Sequence, residues 1–255
     1  MARKKIFKQP YLGVETSDEE MHCLLGLKGE LSAVFQLTNS VQQYSANEDQ
    51  YQDFHSAFLN IIKILGEGFT IQKLDVLSKA KFAPQNASTF LQTKYNDHFK
   101  GREYNKINTY LVLTKTLRNN AKHFAEDFRS YKLSVQKAMQ ALDTSGFKPK
   151  LLREQELNML YLRFITMNFS EKNIVMDNFH ATKNHVEIGE KTLRSISLID
   201  IDRIELPNTI AAYKSNNTDD FPMDTMHFLH QVPNFITLVY NQVIEIPKQD
   251  RKSVV

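Results

Sequence analysis

The sequence predicts an α+β fold: a mixed or antiparallel sheet with two packed helices, followed by a long helical hairpin and further strands. Two patterns support this prediction. In the first half of the chain, short apolar or alternating segments of strand length lie between segments in which apolar residues recur at helical spacing. In the second half, apolar residues from Phe124 to Leu142 recur at steps of four and three, which is typical of an amphipathic helix.

The first half is predicted to contain a hairpin, two helices and two further strands. The hairpin joins His22–Leu27 to Leu31–Leu37 through the turn residues Lys28-Gly29-Glu30. We expect Pro84-Gln85-Asn86 to cap the second helix, and both helices to pack on one side of the sheet. The elements after the hairpin are a helix from the Ser45–Glu48 capping box to Gly66, with Tyr51, Phe54, Phe58, Ile61, Ile62 and Leu65 on one face, a strand at Phe69–Leu77, a short helix at Phe90–Phe99 that ends at Gly101, and a strand at Ile107–Thr114.

The second half is predicted to form the helical hairpin and more strands. Its first helix stops at Asp143-Thr144-Ser145-Gly146, because Pro149 prevents continuation. The second runs from about Leu151 to Asn168, and we expect the two to pack as an antiparallel pair. Its predicted inward residues are Leu157, Tyr161, Phe164 and Ile165. Further strands are predicted at Val186–Ile188, at Leu193–Leu198 and at Phe235–Ile246, the last with Ile236, Leu238, Tyr240, Ile244 and Ile246 on one face.

These elements divide the chain into four parts. They are a flexible N-terminus at 1–16, an α+β subdomain at 17–118, the helical hairpin plus strands at 119–247, and a tail at 248–255. The basic start is followed by polar and acidic residues rather than by the apolar region of a signal peptide. No apolar run approaches the roughly 20 residues that a membrane helix requires. We therefore expect a cytoplasmic protein.

Composition excludes several classes of protein. The chain has 255 residues, of which 42% are hydrophobic and 24% charged, so it is neither a disordered tail nor a collagen-like chain. Its single cysteine, Cys23, excludes an internal disulfide. The net charge of +3 provides no argument for bulk attraction to nucleic acid or anionic lipid.

Motifs for nucleotide binding and nucleophilic catalysis are missing. No glycine is followed by Lys and then Ser or Thr as in a P-loop, and neither a G-x-G-x-x-G loop nor a Gly-x-Ser-x-Gly elbow occurs. Cys23 has His22 as its neighbour, but adjacent strand residues point to opposite faces. We interpret Cys23 as a small core residue.

Histidines and paired acids offer only partial metal sites. His227 and His230 are spaced to share one helix face, with Asp224 nearby, whereas a zinc site needs three or four ligands. We interpret them as surface histidines and keep a metal site as an alternative. His180 and His185 are interpreted as loop residues. The acid pairs Asp200/Asp202 and Glu154/Glu156 are interpreted as solvated faces.

One segment comes close to a nucleic-acid interface. His98–Lys106 holds three basic side chains and two aromatic rings between a helix and a strand. Because the acids Asp97 and Glu103 reduce the net positive charge there, we interpret the segment as a structural turn and expect no direct nucleic-acid contact.

Four segments of the chain occur in a characteristic order. The first is Gly29–Phe35 and the second is Tyr51–Asp75. The third combines Phe90–Leu91, His98–Tyr104 and Thr109–Lys115, and the fourth is Tyr240–Glu245. Together they resemble the N-terminal region of the TraG-family conjugation ATPases of Bacteroides-type conjugative transposons, which are motor ATPases of type IV secretion. The third segment is the most specific. In the family, a His-Phe pair, an Arg before an aromatic residue and a Tyr-Leu-x-Leu-Thr-Lys strand occur at this spacing.

The resemblance implies a module without catalytic, cofactor-binding or metal-binding residues of its own. The Walker loops of the family follow this region and have no counterpart in the chain. The implied function is a scaffold or interaction domain in conjugative DNA transfer. The implied partners are other secretion components and the missing ATPase domain. Oligomerisation, and peripheral association with the cytoplasmic face of the inner membrane, fit the same setting. The alternatives are a free-standing cytoplasmic interaction protein and a metal-dependent enzyme using His227 and His230.

The C-terminal residues suggest why such a module would stand alone. Asp250–Val255 is what GATCGGAAGAGCGTCGTG encodes, and that DNA, which TAG follows, matches the start of a widely used sequencing adapter. We therefore expect these residues to be read-through at the end of a sequenced fragment. An independent long read of the locus with the same stop codon would refute this expectation.

Overall fold

The computed structural model describes residues 11–38, 48–117, 123–169, 174, 178–195 and 237–247, without the side chains of 48–55. The α+β class predicted from the sequence is confirmed. The elements in the described residues are β1 (Tyr11–Glu15), β2 (Cys23–Gly26), β3 (Glu30–Leu37), α1 (Glu48–Leu65), β4 (Phe69–Lys81), α2 (Phe90–Phe99), β5 (Glu103–Thr116), α3 (Phe124–Thr144), β6 (Lys150–Leu151), α4 (Glu154–Thr166), β7 (Phe179–Ala181), β8 (Val186–Ile188), β9 (Lys191–Leu193) and β10 (Thr237–Glu245).

The main sheet is antiparallel, with the strand order β1-β2-β3-β5-β4-β10 and β6 paired to β3. The predicted hairpin is confirmed as β2 and β3, and its turn places Gly29 at a positive φ of 82°. The start of the chain differs from the prediction. Tyr11–Glu15, assigned above to a flexible terminus, pairs with β2, and the Tyr11 ring packs edge-on against Tyr161.

The long C-terminal strand completes this sheet. β10 pairs with β4 along its whole length, from Thr237 opposite Ser78 to Glu245 opposite Thr70. The sheet therefore combines strands from the first half of the chain with one that lies near its end.

One face of the sheet is covered by α1 and α3. The side chains that meet there come from alternate positions of β3, β4 and β5 and from the apolar stripes of the two helices. The largest fully buried members are Tyr131, Phe35, Phe69, Phe147, Leu31, Ile61, Leu111, Leu113, Leu142 and Val135.

The other face is covered by α4, which corrects the predicted helical hairpin. Leu157 of α4 is buried against Val34, Val112 and Val76, which point away from α1 and α3. α3 and α4 therefore lie on opposite faces rather than as an antiparallel pair. The physical reason is that β3 and β5 are apolar on both faces, so each face needs a covering helix.

The chain passes from one face to the other beside β3. After α3, Thr38 donates its N–H to the Phe147 carbonyl at 2.9 Å, and Leu152 donates to the Val34 carbonyl at 2.9 Å. The short strand β6 lies between these two bonds. The backbone hydrogen bonds of the crossing are thus satisfied by β3 itself.

The helix α2 differs from the prediction in two respects. It was expected to pack on the sheet beside α1, yet none of its residues is buried. The place on the sheet is taken by α3. The N-cap of α2 is Thr89, which forms a capping box with Gln92, rather than Pro84-Gln85-Asn86.

Candidate interaction surface

Among the described residues, a largely exposed part of the chain is an arm, here defined as residues 79–106. The pairing of β3 with β5 ends at Thr109, and that of β10 with β4 ends at Ser78. Beyond these points the described β4 and β5 pair only with each other, up to Lys81 opposite Glu103. The arm consists of this two-stranded ribbon and of α2 at its tip. Because the ribbon continues β4 and β5, these two strands of the main sheet position the arm.

A small aromatic cluster holds the arm in shape. Phe82, Tyr95 and Phe99 contact one another, with ring centroids 4.6–6.0 Å apart. Gly101 donates its N–H to the Phe82 carbonyl at 3.0 Å, and Phe82 donates to the Arg102 carbonyl at 2.9 Å. These contacts lie within the arm, which is therefore ordered without being buried against the body.

Apolar side chains at the tip remain exposed to solvent. Phe90 is 73% exposed and Leu91 is 78% exposed, and both belong to the first turn of α2. Tyr104, in the ribbon, is also exposed, at 47%. Scattered apolar residues on a surface need no explanation, but neighbouring ones on a protruding element are typical of a contact surface.

The arm carries more positive charge than the whole chain. It contains six basic residues, Lys79, Lys81, Lys94, Lys100, Arg102 and Lys106, against the two acids Asp97 and Glu103. The net charge of the chain is +3, so the rest of the chain is slightly acidic. Lys94 lies over the Phe90 ring and Arg102 over the Phe99 ring, each 5.6 Å from the ring centroid.

An open cavity of about 510 Å³ lies between α2 and the segment that leads into it. Asn96 fixes the loop, because its amide donates to the Gln85 carbonyl at 2.7 Å. The side chains of Gln85 and Asn86 are exposed beside it. The lining residues are Phe82, Gln85, Asn86, Leu91, Gln92, Tyr95 and Asn96, which combine rings with amides.

The structure separates Cys23 from His22, as the strand pattern predicts. Cys23 is fully buried in the core, and burial raises the pKa of its thiol to about 12, with Glu15 and Asp18 adding to the shift. His22 accepts a hydrogen bond at Nδ1 from the Glu154 N–H at 3.0 Å, at the start of α4. The interpretation of Cys23 as a core residue is confirmed.

Alkaline pH is expected to destabilise the fold through Cys23. Because its folded pKa lies above that of a free thiol, the stabilising contribution is complete below about pH 9 and is lost as pH rises towards 12. Urea unfolding at a series of alkaline pH values measures this loss. In Cys23→Ala the slope of stability against pH over this range should be smaller, and an unchanged slope would contradict the assignment.

His180 and His185 share one carboxylate in the small sheet β7-β8-β9, and His180 lies in the strand β7 rather than in the predicted loop. His180 Nδ1 and His185 Nε2 each lie 3.0 Å from a different oxygen of Glu187. Hydrogen bonds from His185 and then His180 lower the pKa of Glu187. In the described residues, no group of three or more His, Cys, Asp or Glu side chains is arranged to hold a metal ion.

Other predicted acids and histidines are structural or lie outside the described residues. Glu156 accepts from the Arg153 N–H at 3.1 Å and from Lys150 Nζ, and the Lys150 contact lowers its pKa. It therefore caps α4 rather than acting with Glu154. Five of the candidate residues named from the sequence lie outside the described part of the chain, namely Asp200, Asp202, Asp224, His227 and His230.

A second cavity, of about 240 Å³, lies between α4 and the sheet. It is lined partly by Tyr110, whose pKa is raised by burial, and by Arg163, which donates to the Asn168 carbonyl at 3.1 Å. Leu152, Met159 and Leu160 supply apolar surface. These polar groups serve packing and a helix end, so this cavity offers no nucleophile paired with a base.

Sequence reasoning located part of the arm but not its extent. His98–Tyr104 was named as the most family-like patch, and the structure places it in the arm. Lys79 and Lys81 lie beyond the predicted strand, which ended at Leu77, and were assigned to no site. Only the register that sets Lys79 opposite Asn105 and Lys81 opposite Glu103 brings them beside the His98–Lys106 segment. The sequence feature that could have indicated the arm is the polar residues that extend β4 before α2 and begin β5 after it.

No protein-family model matches the chain, and no curated protein matches it. In the described part of the chain, none of the helices is both long and apolar enough to cross a membrane.

Proposed function

We propose that the chain is a non-catalytic N-terminal module of a conjugation ATPase, and that it serves type IV secretion as a scaffold that binds partners through its arm. The observation that carries this proposal is the arm, an ordered hairpin that leaves Phe90 and Leu91 in solvent. Ordering a chain segment costs conformational entropy, and apolar side chains kept in water gain nothing from it until a partner covers them.

The conjugation setting rests on the resemblance of four segments. The most specific of them, His98–Tyr104 with Thr109–Lys115, runs from the arm into the centre of the sheet. The proposed partners are other components of the secretion complex and the ATPase domain of the same protein. The proposed location is the cytoplasm, at the inner face of the membrane that holds the complex. A free-standing interaction protein would use the same surface.

Removing the apolar tip is expected to impair conjugation without affecting the fold. We expect Phe90→Ser with Leu91→Ser, placed in the gene of the element that encodes the chain, to reduce transfer frequency by about ten-fold or more, because a few well-packed residues carry most of the binding energy of a contact. Serine is tolerated in the first turn of a helix. Transfer frequency is measured by mating, with protein level checked by immunoblot.

The control replaces two exposed leucines of the body. Leu59→Ser with Leu133→Ser removes apolar surface from α1 and α3, where the side chains are 58% and 54% exposed. This variant should transfer at the parental frequency. Parental transfer by the arm variant, at normal protein level, would refute the proposed role of the arm.

A further inference from the structure

The charge of the arm favours an anionic partner. The basic side chains come from both strands and from α2, while the rest of the chain is slightly acidic. A patch of one sign on a protrusion concentrates counter-ions of the opposite sign. The partner classes with that chemistry are nucleic acid, an anionic bilayer and an acidic protein.

The arrangement of rings and cations favours nucleic acid. Lys94 at the Phe90 ring and Arg102 at the Phe99 ring place a cation beside an aromatic side chain, and the Phe90 and Tyr95 rings are more than half exposed. Single-strand binding sites combine these two groups, because bases stack on rings while phosphates meet Lys and Arg. A duplex hides its base faces, so the exposed rings select unpaired bases.

The amides of the cavity point to the same ligand. Gln85 and Asn86 present donors and acceptors next to the Phe82 and Tyr95 rings, and amides recognise the hydrogen-bonding edges of bases. A bilayer interior offers no partner for these amides, and burying them there would cost free energy. An acidic protein would need the cations but not the exposed rings.

We propose that the arm binds single-stranded nucleic acid, with bases on its exposed rings and phosphates on its lysines and arginine. This inference rests on the proposed function in one respect, namely that the arm is the contact surface. It adds the class of ligand and reverses the expectation drawn from the sequence, which weighed only the three cations from His98 to Lys106.

Fluorescence anisotropy with labelled poly(dT), poly(dA) and poly(rA) oligonucleotides tests the proposal on the full chain. We expect single strands to bind more tightly than a duplex of equal length. Lys81→Ala/Lys94→Ala/Lys100→Ala should weaken binding about ten-fold. The slope of log affinity against log salt should become shallower by about 2, since each lost phosphate contact contributes about 0.7. Equal binding of duplex and single strand would overturn the proposal.

Two further variants separate stacking from bulk charge. Phe90→Leu keeps apolar surface but removes the ring, and we expect it to weaken binding about five-fold, the lower end of the cost of a lost stack. The charge control, Lys28→Ala/Lys63→Ala/Lys137→Ala, removes the same charge from exposed positions of the body and should bind like the parent. Equal weakening by the two lysine triples would overturn the proposal.

Other results of these experiments would indicate a different anionic partner. Sedimentation with phosphatidylglycerol vesicles, together with failure to bind any oligonucleotide, would overturn the proposal in favour of a membrane surface. Failure to bind oligonucleotides, while Phe90→Ser/Leu91→Ser still impairs transfer, would overturn the proposal and leave the proposed function standing. Parental transfer by that variant together with arm-dependent oligonucleotide binding would refute the proposed function and support nucleic-acid binding.

Discussion

Tyr131→Phe is expected to lower the free energy of unfolding by about 2–4 kcal/mol although it removes a single oxygen atom. The Tyr131 hydroxyl accepts a hydrogen bond from the Ala33 N–H at 2.6 Å and donates one to the Leu113 carbonyl at 2.7 Å. Ala33 and Leu113 face each other on β3 and β5, and all three residues are fully buried. Without the hydroxyl, one donor and one acceptor of the sheet are left unpaired away from water.

The phenyl ring of the variant keeps the other contacts of this position. The Tyr131 ring is stacked on Phe69 at a centroid distance of 6.0 Å, and phenylalanine retains that packing. Urea unfolding followed by circular dichroism measures the change. Tyr104→Phe, which removes the hydroxyl of an exposed arm residue, is the matched control and should lie within about 0.5 kcal/mol of the parent. A similarly small effect at Tyr131 would contradict the hydrogen-bonding role.

Excision of the arm is expected to abolish arm-dependent binding without lowering the free energy of unfolding. Replacing residues 82–102 by Asn-Gly would connect Lys81 to Glu103, which already face each other, through a two-residue hairpin turn. The excised residues pack on one another, so their loss removes no core contact. We expect the stability of the body to be unchanged and arm-dependent binding to be lost.

Much of the architecture follows from local patterns. The hairpin of β2 and β3, the helix α1 with its end at Gly66, and the stripe of α3 are set by apolar spacing and turn residues close in sequence. The structure confirms them with shifts of a few residues at their ends, as for β4, which continues from Leu77 to Lys81.

The arrangement of the helices did not follow from local pattern. An apolar stripe indicates that a helix buries one face but not which surface it covers, so α3 and α4 were paired with each other. A signal for the correct arrangement was present in β3 and β5. The runs Ala33-Val34-Phe35 and Leu111-Val112-Leu113 are apolar without alternation, which indicates strands covered on both sides.

The same limitation applies to α2 and the candidate site. Phe90, Leu91, Tyr95, His98 and Phe99 indicated a short helix, which we expected to pack on the sheet, yet Tyr95 and Phe99 pack on Phe82 of the arm. Apolar spacing does not distinguish a helix that packs on the sheet from one that caps a protruding hairpin. The charge of the arm depends on strand register, which is a non-local property.

We infer that the arm serves binding and not folding, and measuring both properties on the excised chain tests this inference. Urea unfolding of the chain with residues 82–102 replaced by Asn-Gly should give a free energy within about 0.5 kcal/mol of the parent, as expected for a change that leaves the core intact. The same protein should lose binding to single-stranded oligonucleotides and fail to support transfer. A fall in stability as large as that expected for Tyr131→Phe, or undiminished binding and transfer, would contradict the claim.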